Sequence, residues 1–295
     1  MQGSIKRENG VLYLEEIGPA HTSVRYELKD VLYSKRSPYQ LVEIAESYDY
    51  GRMLILDGCV NVCERDEANY HEMIAHIPAL LHPESTKVLV IGGGDGGTVR
   101  ELLKHDSIEH IDLVEIDVHV IESCKRYFPS LASSLDNPRV RVHTGDGVAF
   151  VHNARSSHYS IIIIDSSDPV GPAEGLFTYD FYKACHRIVD DNGIVVAQSE
   201  SPYVLPDVLK EVHTLFCRIF PTVLPYRIPV PTYPSGQIYM MMGTKQEIFS
   251  LRDHDQEVRD FLLRNDKVLR YLNEQILNST FAIPGDVKRM LVGDF

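Results

Sequence analysis

Apolar and polar positions alternate through much of the first sixty residues. Val24, Tyr26 and Leu28 are separated by Arg25 and Glu27, the period of a half-buried strand. Val31-Leu32-Tyr33, Leu41-Val42-Glu43-Ile44 and Met53-Leu54-Ile55-Leu56 are further strand candidates, broken at Tyr50-Gly51-Arg52 and at the turn dipeptide Asp57-Gly58. These segments predict a small antiparallel sheet over residues 1–61. From Glu67 the period lengthens, with Ala68, Met73, Ile74, Ile77, Leu80 and Leu81 recurring at helical spacing. Short apolar runs then alternate with helical stretches. Strands are predicted at 88–91, 111–115, 140–143, 159–164 and 193–197, and helices from Thr98, over 118–127, over 179–189 and from Pro206 to about Ile219. That alternation predicts an α/β domain over 62–295, a doubly wound and mostly parallel sheet. Residues 225–236 read as a proline-rich loop able to close over a site, 238–242 as a late strand, and 254–295 as helical with an interruption at Pro284-Gly285.

Composition narrows the chemistry. The chain has 295 residues, 44% hydrophobic and 24% charged, with a net charge of −13. That balance argues against non-specific nucleic-acid binding, which needs a basic face, and fits a cationic small substrate. No apolar run is long enough to span a membrane, and the first residues do not read as a signal peptide. Five scattered cysteines point to a reduced, cytoplasmic protein. No metal is expected. Cys59 and Cys63 lack a second ligand pair at finger spacing, and His71 and His76 are five apart where one helix face needs four.

The strand at 88–91 runs into Gly92-Gly93-Gly94-Asp95-Gly96-Gly97 and a helix, the arrangement that lets backbone approach a nucleotide. Asp95 is out of place in a phosphate loop, whose N–H groups and helix dipole favour anions. It predicts a nucleoside ligand that turns a positive charge to this loop. Glu115, ending the next strand, is either a ribose acceptor or a solvated strand-end acid. Asp146, after the third, is placed to accept from an adenine amino group, and Gly147 would let the chain approach the ring. Asp165 and Asp168 follow a wholly apolar strand. They are either a turn with a helix cap or, with Asp95, an acid cluster that needs a cation. Neither a G-x-S-x-G elbow nor a G-x-x-x-x-G-K-[ST] loop occurs, so hydrolase and NTPase readings are weak.

Five motifs together carry a resemblance. They are Tyr39-Gln40; Glu64-Arg65-Asp66-Glu67 leading to Tyr70-His71-Glu72-Met73; the glycine run; Asp165-Ser166-Ser167-Asp168-Pro169-Val170-Gly171-Pro172; and Pro231-Thr232-Tyr233-Pro234-Ser235-Gly236-Gln237. On these, over nearly its whole length, the chain resembles the polyamine aminopropyltransferase family. The resemblance implies a small N-terminal β domain on a methyltransferase-like Rossmann domain. It implies decarboxylated S-adenosylmethionine as a co-substrate, with no separate cofactor, putrescine as the usual acceptor, methylthioadenosine as by-product, and a homodimer or homotetramer. By motif, Gln40, Glu115, Asp146, Gly147 and Pro172 would hold the nucleoside and Asp95 the ammonium of the aminopropyl arm. Asp165 would accept the proton, and Tyr70, His71, Asp168 and Tyr233 would line the amine channel. His71 read without the resemblance is an exposed helix histidine.

Departures bear on the acceptor. Many members carry Trp near the start of the first strand, where it helps to line the amine site; this chain has none, and Tyr13 is expected to occupy that place. Asn61 replaces a Gln of some members, and Gln198-Ser199-Glu200 lies where the family varies. Agmatine, cadaverine or a longer polyamine are thus alternative acceptors. Putrescine N-methylation and a catalytically silent partner subunit are further readings, against which the retained Asp95 and acid cluster speak.

Overall fold

A computed structural model describes residues 2–18, 22–246 and 255–293. It has two sheets. The first is a six-stranded antiparallel meander, in order β1 (Gln2–Glu8), β2 (Val11–Ile17), β3 (Ser23–Arg36), β4 (Leu41–Ser47), β5 (Arg52–Leu56) and β6 (Cys59–Cys63). The β1–β2 hairpin lies outside the expected strands, although Asn9-Gly10 is its signal. Glu8 pairs with Val11 across a two-residue turn with φ of 52° and 84° at Asn9 and Gly10, the left-handed pair that such turns need. The two strands expected at 24–28 and 31–33 are one strand, β3. Irregularities between Leu28 and Asp30 and between Val31 and Tyr33 reset its alternation and disguise the continuity.

The second sheet holds β7 (Lys87–Gly92), β8 (His110–Glu115), β9 (Val140–Thr144), β10 (Tyr159–Asp165), β11 (Val189–Gln198), β12 (Thr222–Pro229) and β13 (Gln237–Thr244). Its order is β12-β13-β11-β10-β7-β8-β9, parallel from β11 to β9, with β13 antiparallel to β11 and to β12. The helices are α1 (Glu67–Leu81), α2 (Gly97–Leu102), α3 (Val118–Tyr127), α4 (Pro129–Ala132), α5 (Gly147–Asn153), α6 (Tyr179–Ile188), α7 (Pro206–Ile219), α8 (Asp255–Asn265), α9 (Glu274–Ser279) and α10 (Gly285–Val292). Val88, Val90, Ile161 and Ile163 pack on one side with α1 to α3, while Leu89, Ile91, Ile162 and Ile164 pack on the other with α6 and α7. Successive strand residues face opposite helical layers, which is why these strands read as unbroken apolar runs. Among the described residues no helix is long and apolar enough to cross a membrane.

Residues 225–236 are not all loop. β12 takes Pro225 and Pro229 into the ladder, paired with Met241 and Gln237. It is an edge strand, where a residue without an N–H is tolerated. Only 230–236 remain as loop. In the C-terminal stretch α8, α9 and α10 are separated by turns, and α10 begins at Gly285, where the interruption is expected; His254 and residues 294–295 lie outside the described residues.

The chain leaves β7 toward β8 and β9 on one side and returns to β10 and β11 on the other. A crevice opens beyond the carboxyl ends where the direction reverses. Gly92, ending β7, pairs with Asp165, ending β10. Gly92 has φ of 81°, and a Cβ there would lie 2.1 Å from the Asp165 carbonyl oxygen, so a glycine is what lets the two strand ends close up.

Candidate active site

One cavity runs from the crevice to the inner face of the N-terminal sheet. Gln40, Tyr70, His71, Asp95, Glu115, Asp146, Gly147, Asp165, Asp168, Pro172 and Tyr233 all line it. Sheet topology alone brings these segments together, since they are spread over almost two hundred residues.

At one end Glu115 is buried, and its two oxygens accept the N–H groups of Gly94 (3.2 Å) and Asp117 (2.9 Å). Burial, aided by the charges of Asp117 and Asp95, pushes its carboxyl up to about 7. Asp117 caps α3 and ties the sheets together, because its Oδ2 accepts from Ser37 Oγ (2.6 Å) and Gln40 Nε2 (3.2 Å) of the N-terminal domain. Asp146 caps α5 through Val148 N at 2.8 Å, and Gly147 opens that helix. Pro172 stands in the turn Gly171–Phe177.

The middle is an acid–base cluster. Side-chain atoms of His71, Asp95 and Asp165 lie within 4.8 Å of one another. Asp165 Oδ1 accepts from Tyr70 OH (2.8 Å) and Oδ2 from Thr98 Oγ1 (2.6 Å). Burial and the nearby Asp95 charge raise its pKa, against the opposing pull of His71, Thr98 and Tyr70. Asp95 Oδ1 accepts from Gly97 N (2.8 Å) and lies 3.2 Å from His71 Nε2. His71 is buried, not exposed: its Nδ1 meets Glu67 Oε2 at 2.7 Å. Both ring nitrogens are thus turned to carboxylates. His76 faces a separate cluster, with Glu101 and His105, as the five-residue spacing requires.

The far end holds Glu16, which the motifs did not show, and Glu200, marked in the sequence only as part of the varying segment Gln198-Ser199-Glu200. Glu16, from β2, is 2% exposed and accepts from Val60 N at 3.3 Å. Glu200 follows β11 with φ of 69° and accepts from Gln198 Nε2 at 3.3 Å. Both line the cavity with Asp168. Burial, then the hydrogen bond and charge of Asp168, push Glu200 up to about 9; burial and Asp168 push Glu16 up to about 7. The register of β2 between β1 and β3 turns Glu16 inward. Leu14 and Glu16 face inward, whereas Tyr13 faces Glu8 and the Arg25 guanidinium, 4.3 Å from its ring centroid. Tyr13 is not among the cavity's wall residues, so the expectation that it takes the place of a channel aromatic is corrected. Buried Ser166 Oγ and Gln198 Oε1 also stand on the wall without a hydrogen-bond partner. The loop 230–236 is tied down, since Asp66 Oδ2 accepts from Thr232 N and Oγ1 (both 2.8 Å) and Tyr233 OH donates to Asn61 O (3.0 Å).

These ionisations predict how stability responds to pH. Glu16, Glu115 and Glu200 have folded pKa values of about 7, 7 and 9, and His71 of about 10, all above their unfolded values. Each therefore stabilises the fold fully below its unfolded pKa and loses that contribution as pH rises through its folded one. The melting temperature of the ligand-free protein is expected to fall by about 5 °C or more between pH 6 and 9.5. Glu200→Gln, which removes one ionisation, should fall less steeply; equal slopes by scanning fluorimetry would contradict this assignment.

A crevice at the strand ends, a buried carboxylate of raised basicity and a distal acid trio suit a reaction between two cationic organic molecules. Comparison with known proteins agrees. Residues 67–253 match the model of the spermine/spermidine synthase domain, and residues 12–64 that of the spermidine synthase tetramerisation domain. The polyamine aminopropyltransferase of Clostridium kluyveri is 40% identical over 92% of this chain and 96% of its own length. That of Methanocaldococcus jannaschii is 40% identical over 92% and 91%. The crystal structure of a spermidine synthase with the transition-state analogue AdoDATO superposes with a TM-score of 0.90 at 34% identity, covering 98% of this chain and 97% of that one. The Thermotoga maritima spermidine synthase gives 0.89 at 34% identity over the same shares. The chain belongs to the polyamine aminopropyltransferases, the spermine/spermidine synthase family.

Proposed function

We propose that the enzyme transfers the aminopropyl group of decarboxylated S-adenosylmethionine to putrescine, giving spermidine and 5′-methylthioadenosine. The observation that carries this reading is a run of interacting carboxylates on one cavity wall: Glu115 feels the charge of Asp95, Asp95 stands by Asp165, and Asp168 acts on both Glu16 and Glu200, with Asp146 on the same wall. A donor with a sulfonium and an ammonium, followed by a diamine with two amino groups, meets an acid at each cationic group. Gln40, Glu115, Asp146, Gly147 and Pro172 hold the nucleoside. Each Glu115 oxygen accepts one backbone N–H and keeps a lone pair for a ribose hydroxyl. Asp95 binds the ammonium of the arm. Tyr70 and Tyr233, with ring centroids 6.4 Å apart, flank the amine channel. The acid trio, with Gln198 Oε1 and Ser166 Oγ as free acceptors, receives the distal ammonium.

The step is a displacement. The amine lone pair forms the new C–N bond, the C–S bond breaks with its electron pair going to sulfur, and the nitrogen's proton passes to Asp165. The sulfonium leaves as a neutral thioether, so the bond cleavage calls for no further activation of the leaving group. The harder task is supplying a neutral amine, because a lysine-like pKa near 10 means a cost of roughly 4 kcal/mol at pH 7. The raised pKa of Asp165 narrows that gap, the adjacent sulfonium lowers the amine's, and positioning contributes the rest. The match of residues 12–64 to a tetramerisation domain supports a homo-oligomer.

Purified protein incubated with each donor and a panel of amines, followed by mass spectrometry, tests the reading. Methylthioadenosine and spermidine are expected with the decarboxylated donor and putrescine. Product only with S-adenosylmethionine would overturn it. Methylthioadenosine released with agmatine but not putrescine would reassign the acceptor.

A further inference from the structure

Glu67 opens α1 four residues before His71, so both stand on one helix face. His71 Nδ1 faces Glu67 Oε2 at 2.7 Å and Nε2 faces Asp95 Oδ1 at 3.2 Å. A neutral imidazole carries a single N–H. One nitrogen would then set its lone pair against a buried carboxylate. Two acids on the two nitrogens call for two N–H groups, an imidazolium.

Glu67 is itself fixed. Arg100 grips it with two bonds, Nη1 to Oε1 at 3.2 Å and Nη2 to Oε2 at 2.9 Å, and Arg270 Nη1 reaches Oε1 at 2.9 Å. Arg270 belongs to the segment between α8 and α9. Glu72 docks that segment by accepting the backbone N–H groups of Arg270 (2.7 Å), Tyr271 (3.0 Å) and Leu272 (2.7 Å). Gly97 completes the seat, since a Cβ there would come within 2.3 Å of the His71 ring. Tyr70 meets the ring edge-on, and Asp165 lies beyond Asp95.

Two carboxylates as close as Asp95 and Asp165 do not both ionise freely. Which one keeps the proton affinity depends on what stands beside each. We propose that Glu67 is a positioning residue: by holding His71 as an imidazolium against Asp95, it keeps that carboxylate ionised and oriented and directs the site's proton affinity to Asp165. The balance of charges agrees. Burial lowers the His71 pKa, but Asp95 and Glu67 outweigh it and leave it at about 10. Burial pushes Asp95 up, but His71 and Gly97 N–H bring it below the usual carboxylate value, while Asp165 stays raised. The kinetic consequence rests on the reading of Asp165 as the proton acceptor; the protonation state of His71 does not.

Two measurements test it. In ligand-free protein labelled with 15N-histidine, the His71 ring is expected to keep imidazolium shifts from pH 6 to 9; a neutral ring at pH 8 overturns the proposal, and this needs no variant. In Glu67→Gln the ring loses one acid and titrates at lower pH. Asp95 and Asp165 then lose their nearby cation and hold a proton to higher pH. The acid limb of kcat/KM is expected to move up by about one pH unit or more, with a raised KM for the donor. A superimposable profile with only a uniform fall in kcat overturns the proposal and makes Glu67 structural. Failure of the function itself shows separately, as absence of product from the wild-type protein.

Discussion

Asp165→Asn is expected to lower kcat with putrescine by about 10³-fold, within the range for loss of a general base, while affinity for the decarboxylated donor changes by less than about threefold. A 10³-fold loss corresponds to about 4 kcal/mol of transition-state stabilisation. That matches the cost of presenting a neutral amine without a base, since three pKa units at about 1.4 kcal/mol each separate the amine from pH 7. The substitution is suited to the test because it is isosteric. Tyr70 OH can still donate to the amide oxygen, and the Thr98 hydroxyl can rotate to accept from the amide nitrogen. The fold and the crevice stay intact, so donor binding, which this reading places on Glu115, Asp146 and Asp95, is retained. Calorimetry with the donor and single-turnover kinetics with saturating amine separate the two quantities. If the variant raises only the KM for the amine and keeps kcat, Asp165 binds the amine without taking its proton.

How far the chain could be read in advance follows from the kind of signal each part carries. The strand at 161–164 is buried on both faces by packed helices, so four consecutive isoleucines mark it without help from its neighbours. β12 carries two prolines and was hidden for a physical reason: proline opposes a strand everywhere except at an edge, and edge position is a property of the sheet. Asp95 and Asp165 were legible because an acid in a glycine turn and an acid at the end of an apolar strand are locally anomalous. Glu16 was not, and Glu200 stood out only as part of the varying segment Gln198-Ser199-Glu200. Glu16 looks like one of two acids in a strand, and only the inward register of β2, set by pairing with β1 and β3, separates it from Glu15. Glu200 needs a backbone turn at φ of 69° to face Asp168, and no residue type announces that. Glu67 and Arg270 are 203 positions apart and meet through the docking of the C-terminal segment on α1. Local anomaly finds residues that react, whereas the residues that set their charge are found only when the fold assembles them.

Asp95→Asn should reverse the preference between the two possible donors. The wild-type carboxylate has one oxygen already held, since Oδ1 accepts from Gly97 N and faces His71 Nε2 at 3.2 Å. An asparagine must place its carbonyl oxygen there, because an amide nitrogen facing two N–H donors would leave all three unpaired. Its NH₂ then takes the place of the free oxygen on the cavity side. On the proposed reading, a group that attracts the ammonium of the decarboxylated donor becomes a donor dipole that repels it. Removing one partner of a buried ion pair costs about 3 to 5 kcal/mol, or about 10²- to 10⁴-fold in kcat/KM with that donor. S-adenosylmethionine differs by a carboxylate at the same end of its chain. On the proposed reading the wild-type Asp95 would exclude it by like-charge repulsion in a buried site, and the NH₂ of the variant can donate to it. Calorimetric titration with both compounds is therefore expected to show weaker binding of the decarboxylated donor and stronger binding of S-adenosylmethionine. The His71 ring, still held by Glu67, keeps the variant folded enough to measure both. An affinity ratio unchanged from the wild type would sink the assignment of Asp95 as the residue that reads the end of the donor's arm.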